Sequence, residues 1–535
     1  MKNTIITILL TGAAALGASA QSMYDALNFS EYKYSGSART MAMGNAFTAL
    51  GGDPGSIGIN PAGSAVARYS QVTITPGVVM SVNTSQGTDG GKWGFETAMR
   101  NTSSSFVLPN VGVMLNFDTH RERGVKNVSV GFVVNTTNLY RNGIFAKGLN
   151  HNTSFSGYLA ASTTGINPGL ITESAYQDLQ LGWNNILGYL GGATADLTVP
   201  DDHYYAGAAE NVYYRYDDLG NVIGADIRME GEIGQSYGNN TSGYRDDYLI
   251  NVGMNISDYV FIGANLGITS LRYRNEQFLN ESSEDPSLFQ TGFTTLKYNS
   301  FYRADGTGVY GKFGVIVTPF SGLRIGAAIQ TPTSSVIKEV WGASLSTKFT
   351  DSQYNSSAKT PDGEYSYKLL SPFRFNAGLA WTFGSRALVS VDYEMSDYSR
   401  MFIKERYTSD NSAYDAVNGD IKNFMGTSHQ LRVGAEFKPI DQLAVRAGYG
   451  LITSPEKVSD ENTGLKYAKS NEHSISAGIG YSTKGSFYID AAFLARKSPD
   501  SYIMPYEDYV SDAFSPEILS RRTLYSIAVT LGFRF

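Results

Sequence analysis

The chain has 535 residues, five histidines, no cysteine and a formal net charge of −7 at neutral pH. The absence of cysteine excludes disulfide bonds and a lipid-modified N-terminal cysteine. The acidic balance argues against nucleic acid as a partner, and five scattered histidines leave little material for a transition-metal site. We therefore expect no metal and no cofactor.

Residues 1–20 have the pattern of an export signal. Lys2 gives a positive start, an apolar stretch runs to Leu16, and Ala18-Ser19-Ala20 forms an A-x-A cleavage site. The sequence therefore predicts a cleavable signal peptide, and a mature chain that begins near Gln21.

Residues 21–70 show neither the alternation of a strand nor the spacing of an amphipathic helix. Small residues dominate, and Asn60-Pro61 is a turn-forming step. If the strands that follow close into a barrel, such a segment has its natural place in the lumen. We call residues 21–70 the hatch and predict that they form a plug.

From residue 71 onward, large apolar residues alternate with small or polar ones. The last of these stretches places the following residues on one face: Tyr525, Ile527, Val529, Leu531, Phe533 and Phe535. Successive strand residues point to opposite faces, and each stretch has roughly the 9–11 residues that cross a bilayer at a tilt. About fourteen such stretches predict an all-β fold, a fourteen-stranded antiparallel transmembrane β-barrel over residues 71–535.

The connections between these stretches alternate between short and long. Ser257-Asp258 is a short one, whereas the longest runs from about 145 to 243. Transmembrane barrels place short turns on the periplasmic side and long loops outside. The final strand, which ends in Phe535, resembles the closing strand that the barrel assembly machinery reads in bacterial outer-membrane proteins. We therefore expect a monomer in a Gram-negative outer membrane, in contact with its lipid and lipopolysaccharide.

The polar face of the strands carries charges of both signs, which indicates no single-sign filter. Salt-bridged packing of the lumen is the expected role of these residues: Lys312, Arg324, Arg374, Asp392, Glu394, Arg432, Glu436, Arg446, Asp490 and Arg496.

The hatch also carries motifs of a known family. It contains Ser35-Gly36, then Arg39 and Gly44, and later Asn60-Pro61-Ala62. This arrangement resembles the opening of the mature chain in the long-chain fatty acid transporter (FadL) family, which includes aromatic hydrocarbon channels. Thr40 stands where the family usually has alanine. Further similarity lies in residues 107–110, 371–399 and 431–455, whereas the loop 145–243 has no counterpart that we can match.

The resemblance implies both a fold and a mechanism. The family fold is a fourteen-stranded barrel plugged by an N-terminal hatch, to which Gly36, Arg39, Gly44 and Asn60-Pro61-Ala62 would belong as gating residues. Ligand is captured at the extracellular loops, held above the hatch, and released sideways beside a kinked third strand. Sideways release keeps apolar surface out of water, which is worth about 25 cal/mol per Å². The expected ligand is a hydrophobic small molecule, such as a long-chain fatty acid.

Two features leave alternatives open. The third strand loses its alternation at Asn135-Thr136-Thr137-Asn138, which indicates either a lateral opening or the point where the strand leaves the membrane. The loop 145–243 is either an external flap that captures ligand or a variable surface loop without a role in transport.

Three other functions remain to be weighed against transport of a hydrophobic ligand. A general porin would need an open lumen, and a receptor or adhesin would act through its extracellular loops. An outer-membrane enzyme would need a nucleophile near a general base. None of the five histidines lies in such a motif, and the alternation turns His429 and His473 toward lipid. We therefore predict that the protein is not an enzyme.

Overall fold

The computed structural model describes residues 22–92, 94–163, 166–172, 183–199, 202–220, 222–229, 231–460, 464–467, 470–483, 485–508 and 513–535. The predicted signal peptide, residues 1–20, lies outside these ranges. Among the helices described, none is both long and apolar enough to span a membrane.

The α-helices of the described ranges are α1 (Met23–Ser30), α2 (Ala38–Ala42), α3 (Gly63–Val66), α4 (Phe155–Thr163), α5 (Trp183–Leu190) and α6 (Asp415–Phe424).

The strands are β1 (Gln71–Gly87), β2 (Met99–Asp118), β3 (Val125–Leu139), β4 (Asn142–Asn150), β5 (Thr194–Val199), β6 (Asp202–Gly207), β7 (Glu210–Tyr216), β8 (Val222–Met229), β9 (Ile233–Ile256), β10 (Val260–Ser283), β11 (Phe293–Phe320), β12 (Leu323–Gln330), β13 (Ser334–Phe349), β14 (Ser356–Lys359), β15 (Gly363–Leu370), β16 (Arg374–Phe383), β17 (Ala387–Asp397), β18 (Phe402–Glu405), β19 (Thr427–Ile440), β20 (Leu443–Ile452), β21 (Lys457–Asp460), β22 (Gly464–Tyr467), β23 (Glu472–Ser482), β24 (Phe487–Lys497), β25 (Ser501–Ile503), β26 (Glu507–Asp508), β27 (Ala513–Phe514) and β28 (Ile518–Arg534).

The barrel is closed, antiparallel and fourteen-stranded, which confirms the predicted fold. Strands that follow one another in the wall pair as antiparallel neighbours, and the last strand, β28, pairs with β1 from Gln71↔Arg534 to Gly87↔Ile518. Because every edge finds a partner at closure, a barrel satisfies backbone groups that lipid cannot.

Some wall strands are built from two pieces. β12 continues into β13 across Thr331-Pro332-Thr333, and β16 follows β15 across Ser371-Pro372-Phe373. Proline lacks an N–H and cannot donate to the ladder, so each interruption falls where the sequence removes a donor. β17 is separated from β18 by the 3₁₀ turn Tyr398–Arg400.

Alternation decides which face of each strand looks inward. Along β1, every odd-numbered residue from Gln71 to Gly87 is buried, whereas the even-numbered residues are partly or fully exposed. The exposed face is apolar at positions such as Val78, Phe313 and Ile475, which are 48%, 57% and 60% exposed. A membrane barrel turns such a face to lipid.

The turns at one end of the barrel are tight. Ser257 and Asp258 both have positive φ, at 56° and 63°, which is the backbone of a two-residue hairpin turn. The long connections lie at the other end, which we call the outer rim. The largest is shorter than we predicted, because β4 pairs with β9 from Asn142↔Thr241 to Asn150↔Ile233. Residues 145–150 and 233–243 thus belong to paired strands, and the excursion covers 151–232.

An apolar cluster closes the outer rim. It combines residues of the excursion, such as Phe155, Leu159 and Leu187, with wall residues such as Leu296 and Leu345, all under 5% exposed. A second cluster lies deeper in the lumen, where α1 packs beside α6. The first helix of the hatch, α1, thus belongs to this cluster, and the rest of the hatch lies below it, against the inner face of the wall.

Candidate functional site

Asn60 anchors the hatch to the barrel wall. Its side chain is fully buried. Nδ2 donates to the backbone oxygen of Thr48 at 2.6 Å and lies 3.2 Å from the carbonyl oxygen of Val315 in β11, and Oδ1 accepts from the N–H of Ala62 at 3.1 Å. The amide therefore ties two hatch turns to one wall strand, and a buried amide without these partners would cost about 1–3 kcal/mol.

Inward-facing glycines let the wall approach the backbone of the hatch. A Cβ added at Gly263 would lie 2.5 Å from the carbonyl carbon of Pro61, and one at Gly326 would collide with the carbonyl of Thr48. The hatch is thus seated directly on the wall, with no room for a side chain at these points.

Gly36 and Gly44 are the two predicted glycines of the hatch. Gly44 has φ of +62°, and its Cα faces the backbone of Tyr449, so both its conformation and its space call for glycine. Gly36 packs against Gly55 within the hatch, and a Cβ added at Gly36 would lie 3.1 Å from the carbonyl oxygen of Gly55.

Arg39 ends a buried ion-pair chain. Its Nε lies 3.0 Å from Glu436 Oε2, which also accepts from Arg446 Nε at 2.6 Å, and Arg446 Nη1 contacts Asp490 Oδ1 at 2.5 Å. The predicted salt-bridged packing is therefore present, and it includes a residue of the hatch.

Other inward cations bind hatch carbonyl groups instead of carboxylates. Lys312 Nζ donates to the oxygen of Gly58 at 2.8 Å, and Arg324 Nη1 donates to that of Leu50 at 2.6 Å. These two cations, which we expected in salt-bridged packing of the lumen, thus bind the backbone of the hatch instead.

The wall is incompletely paired between β2 and β3. Their ladder runs from Asp118↔Asn127 to Asn110↔Asn135 and ends there, although β2 continues upward to Met99 along β1. Pro109 is the next residue of β2, and it has no N–H to offer. The next backbone bridge between the two sides joins Thr97 and Lys147, and within the interval Arg141 donates to Ser103 Oγ. We call the interval between these two pairings the side gap.

The third wall strand turns into the lumen above the side gap. In β4, the carbonyl of Phe145 accepts from Ser85 Oγ at 2.8 Å, and Asn142 Oδ1 accepts from Asn83 Nδ2 at 3.0 Å. Ser85 and Asn83 lie on the inner face of β1. β4 therefore crosses behind its neighbours instead of continuing the wall beside β2.

The hatch pairs with the strand edge that this turn leaves open. Lys33 N–H donates to Thr137 O at 2.7 Å, Ser35 N–H donates to Thr136 O at 3.0 Å, and Ser35 forms an antiparallel bridge with Thr136. A short hatch segment thus occupies the hydrogen-bonding positions where β2 would otherwise lie.

The four residues singled out in the third strand all lie beside the side gap. Alternation continued from Phe132 and Val134 would turn Thr136 and Asn138 toward lipid, but the structure buries them, at 6% and 4% exposed. The reason is a register shift between Thr136 and Asn138 in the pairing with β9, together with the hatch contact. Asn135 lies at the last residue pair of the β2–β3 ladder, where its Oδ1 accepts a hydrogen bond from Asn110 Nδ2 at 2.7 Å.

Above the hatch, one wall of the lumen carries a polar and aromatic band. Asn275, Tyr302 and Trp341 are cross-strand neighbours on the inner face, and all three are half-buried. On the same face, Leu279 and Leu296, nearer the outer rim, are buried. Leu271 and Ile337, nearer the hatch, are also buried. We call this partly accessible zone between two buried layers the chamber.

Cations lie on the side of the lumen nearer the gap. Arg522 Nη2 donates to the carbonyl of Arg141 at 2.6 Å, and Arg141 Nη1 donates to Ser103 Oγ at 2.7 Å. Neither arginine forms an ion pair with any residue that the structure describes. Arg496 shares Glu472 with Lys33, at 3.3 Å and 3.2 Å.

Lys33 lies between the cation group and the hatch edge. Burial lowers its pKa, but the carboxylates of Glu31 and Glu472 outweigh burial and hold the pKa above its ordinary value. The lysine therefore stays charged, and the local excess of positive charge persists at neutral pH.

Two carboxylates bind the start of α4, one from within the excursion and one from the barrel wall. Glu210 Oε1 accepts from the N–H of Ser154 at 3.1 Å, and Glu281 Oε1 of β10 accepts from the N–H of Phe155 at 2.7 Å. These are the first N–H groups of α4, which have no partner inside the helix. Burial, followed by the charge of Glu281, raises the pKa of Glu210 to about 8.

Two of the histidines lie on the outer face, next to tyrosine hydroxyls. His429 and His473 are exposed, as alternation predicts, and their Nδ1 atoms contact the hydroxyls of Tyr393 and Tyr449 at 2.7 Å and 2.9 Å. Within the described ranges, no three His, Asp or Glu residues are grouped as metal ligands would be.

Sequence reasoning missed several parts of this site. Pro109 was a readable signal, since proline inside a strand points to an edge. Arg141, Arg496 and Arg522 come from distant strands, and no local pattern brings them together. The pairing of Ser35 with Thr136 likewise depends on how the hatch is seated.

Comparison with known proteins agrees with this architecture. No family model matches the chain, and no curated protein matches its sequence. A FadL homologue from Pseudomonas aeruginosa superposes with a TM-score of 0.50 and 12% identity, covering 94% of this chain and 98% of that one. The toluene transporters TodX of Pseudomonas putida and TbuX of Ralstonia pickettii score 0.49 and 0.47, with 12% and 13% identity. Each alignment covers 95% of this chain and 100% of the other.

The fold and site define the class of this protein as a transmembrane β-barrel with a lumenal hatch and an interrupted wall. More specifically, the chain has the FadL-type fold, in which fourteen strands enclose an N-terminal plug.

Proposed function

We propose that the protein conducts hydrophobic small molecules across an outer membrane, and that ligand leaves the lumen through the side gap. The observation that carries this proposal is the end of the β2–β3 ladder at Asn110↔Asn135, with β4 turned inward above it. An apolar ligand that passes between these strands reaches lipid without crossing water, which preserves about 25 cal/mol per Å² of apolar surface.

The lining of the side gap suits this route. Phe106 and Leu108 on β2 are 73% and 44% exposed, and both lie on the stretch of β2 that lacks a β3 partner. An apolar edge offers a continuous low-energy path from lumen to lipid, whereas a polar solute would lose its hydration there.

The hatch disfavours the general-porin alternative. Asn60, Arg39 and Lys312 bind it to strands on several sides of the lumen, and the wall glycines leave no room around it. A polar solute would need this packed plug to move aside, whereas an apolar ligand needs only the side gap.

The chamber above the hatch suits an amphiphile. Trp341 and Tyr302 offer ring surface on one side, and Arg522 and Arg141 offer guanidinium groups on the other. A long-chain fatty acid has the matching chemistry, because its carboxylate can accept charge-assisted hydrogen bonds from arginine while its chain lies on apolar surface.

Several wider expectations belong to the same proposal. The chain would be exported by its signal peptide, act as a monomer in a Gram-negative outer membrane, and work without a cofactor or enzymatic step. The excursion 151–232 would cover the outer mouth, where ligand arrives.

The test is equilibrium binding of a labelled long-chain fatty acid and of toluene to the purified, folded barrel. Arg522→Gln should weaken fatty acid binding about tenfold, the loss expected for one charge-assisted hydrogen bond, and should leave toluene binding unchanged. Arg521→Gln is the matched control, because Arg521 is the neighbouring residue on the outer face and pairs with Asp500 at 3.2 Å.

The outcomes distinguish the assignment of fatty acid to the chamber from the wider proposal of hydrophobic transport. If Arg522→Gln leaves fatty acid binding unchanged, the result contradicts the assignment of fatty acid to the chamber but does not contradict hydrophobic transport. Failure of both ligands to bind would contradict hydrophobic transport and favour a receptor that acts through its loops.

A further inference from the structure

The outer face of the barrel carries cations just above its apolar band. On β15 and β18, the outward residues Leu370 and Phe402 are paired neighbours, and the next outward residues toward the outer rim are Lys368 and Lys404. Their inward neighbours Leu369 and Ile403 are 2% and 0% exposed, so both lysines lie on the outer face.

Lys368 and Lys404 are direct cross-strand partners. Side chains at such positions are about 4.5–5.5 Å apart at Cβ, and like charges there are destabilising. Neither lysine has a carboxylate within ion-pair distance in the part of the chain that the structure describes.

A second pair of like charges occurs on neighbouring strands. Arg274 and Arg303 are cross-strand partners on the outer face. Asp305 accepts from Arg274 at 2.7 Å and lies 3.7 Å from Arg272. Arg303 has no ion pair among the described residues, and its guanidinium lies 4.7 Å from the ring of Phe301. Asp305 is therefore shared by Arg272 and Arg274, whereas Arg303 has no carboxylate partner in the described part of the chain.

On β19, β23 and β24, two histidines and one lysine lie at the same level of the outer face. His429 and His473 follow the exposed apolar residues Leu431 and Ile475 toward the outer rim. Lys497 pairs with His473. Both histidines are held by tyrosine hydroxyls, and tyrosine is favoured where a barrel meets the membrane interface.

We infer that these cations form a binding surface for phosphorylated lipid headgroups of the outer leaflet. A phosphate monoester carries up to two negative charges and several acceptor oxygens, so one group placed between Lys368 and Lys404 neutralises both lysines. The position of the pair at the upper boundary of the apolar band places it at headgroup level. This lipid contact is separate from the ligand path inside the lumen.

The experiment is native mass spectrometry of the folded barrel, with bis-phosphorylated lipid A and with the same lipid after dephosphorylation. The double variant Lys368→Gln, Lys404→Gln should bind the phosphorylated lipid about tenfold more weakly, as expected when charge-assisted hydrogen bonds are lost. The double variant Lys368→Arg, Lys404→Arg should retain binding. Arg386→Gln, Lys438→Gln removes two cations at the opposite rim and should also retain it.

Equal binding of the dephosphorylated lipid, or an equal loss in the opposite-rim variant, would overturn the inference. Displacement of the lipid by inorganic phosphate at equal concentration would overturn the assignment to a lipid. If the double variant fails to fold, Lys404→Gln alone gives the same comparison with a smaller expected loss.

Discussion

Ser35 of the hatch and Thr136 of the third wall strand form an antiparallel β-bridge at the edge of the side gap. The bridge joins the hatch to the edge of β3 along which β2 is not paired. We therefore expect movement of the hatch to be coupled to the state of the side gap through this backbone contact.

Ser35→Pro should loosen this contact. Proline removes the N–H that donates to Thr136 O at 3.0 Å, so the hatch segment loses a hydrogen bond with a net value of about 0.5–1.5 kcal/mol. We expect faster passage of hydrophobic ligand in reconstituted vesicles. Ser35→Ala keeps the N–H and should behave like the unmodified protein. Equal rates for both variants would argue against the coupling.

Asn60→Asp should destabilise the hatch. The substitution exchanges the Nδ2 donor for an acceptor that faces the carbonyl of Thr48, at a buried position where an unsatisfied group costs about 1–3 kcal/mol. The expected result is a lower midpoint of denaturant unfolding. Asn299→Asp, at an exposed outward position of β11, makes the same chemical change and should be near neutral.

Gly326→Ala should displace the hatch from the wall. A Cβ at Gly326 meets the backbone of Thr48 and Ala49, and overpacking of this kind typically costs about 1–3 kcal/mol. We expect more ion leakage through the barrel in planar bilayers. Gly311→Ala, where a Cβ would lie 3.9 Å from its nearest neighbours, should leave conductance unchanged.

The attachment of α4 should weaken as pH rises. The pKa of Glu210 is raised to about 8 from an ordinary value of 4.5, so the folded state holds a proton that the unfolded state releases. Stability from this group is complete below pH 4.5 and is lost as pH rises through about 8. The protection factors of the α4 amides, which divide out the pH dependence of intrinsic exchange, should therefore fall across this window, and Glu210→Gln should flatten the dependence. Protection factors that rise with pH would contradict the assignment.

The barrel and its plug could be predicted because both leave local signals. Alternation such as that from Tyr525 to Phe535 follows from a wall with lipid on one side, and the small residues around Asn60-Pro61 mark a segment that must turn in a confined space. These signals depend only on residues that are close to one another in the sequence.

The side gap and chamber could not be predicted, because they depend on long-range pairing. The ladder between β2 and β3 ends at Asn110↔Asn135 when β4 turns inward toward Ser85 and Asn83. The sequence alone shows only a loss of alternation at Asn135–Asn138, which would look the same in a strand leaving the membrane. Arg141 and Arg522 meet across 381 residues of chain.

The central claim is that ligand leaves through the side gap beside the hatch, and a reversible cross-link tests it most directly. The protein has no cysteine, so Ser35→Cys with Thr136→Cys introduces a single pair, at bridge partners whose spacing suits a disulfide. The measurement is the rate at which labelled fatty acid enters vesicle lipid through the reconstituted barrel. We predict slow passage when the pair is oxidised, recovery on reduction, and normal passage in each single variant. Passage at the unmodified rate in the oxidised form would contradict the account.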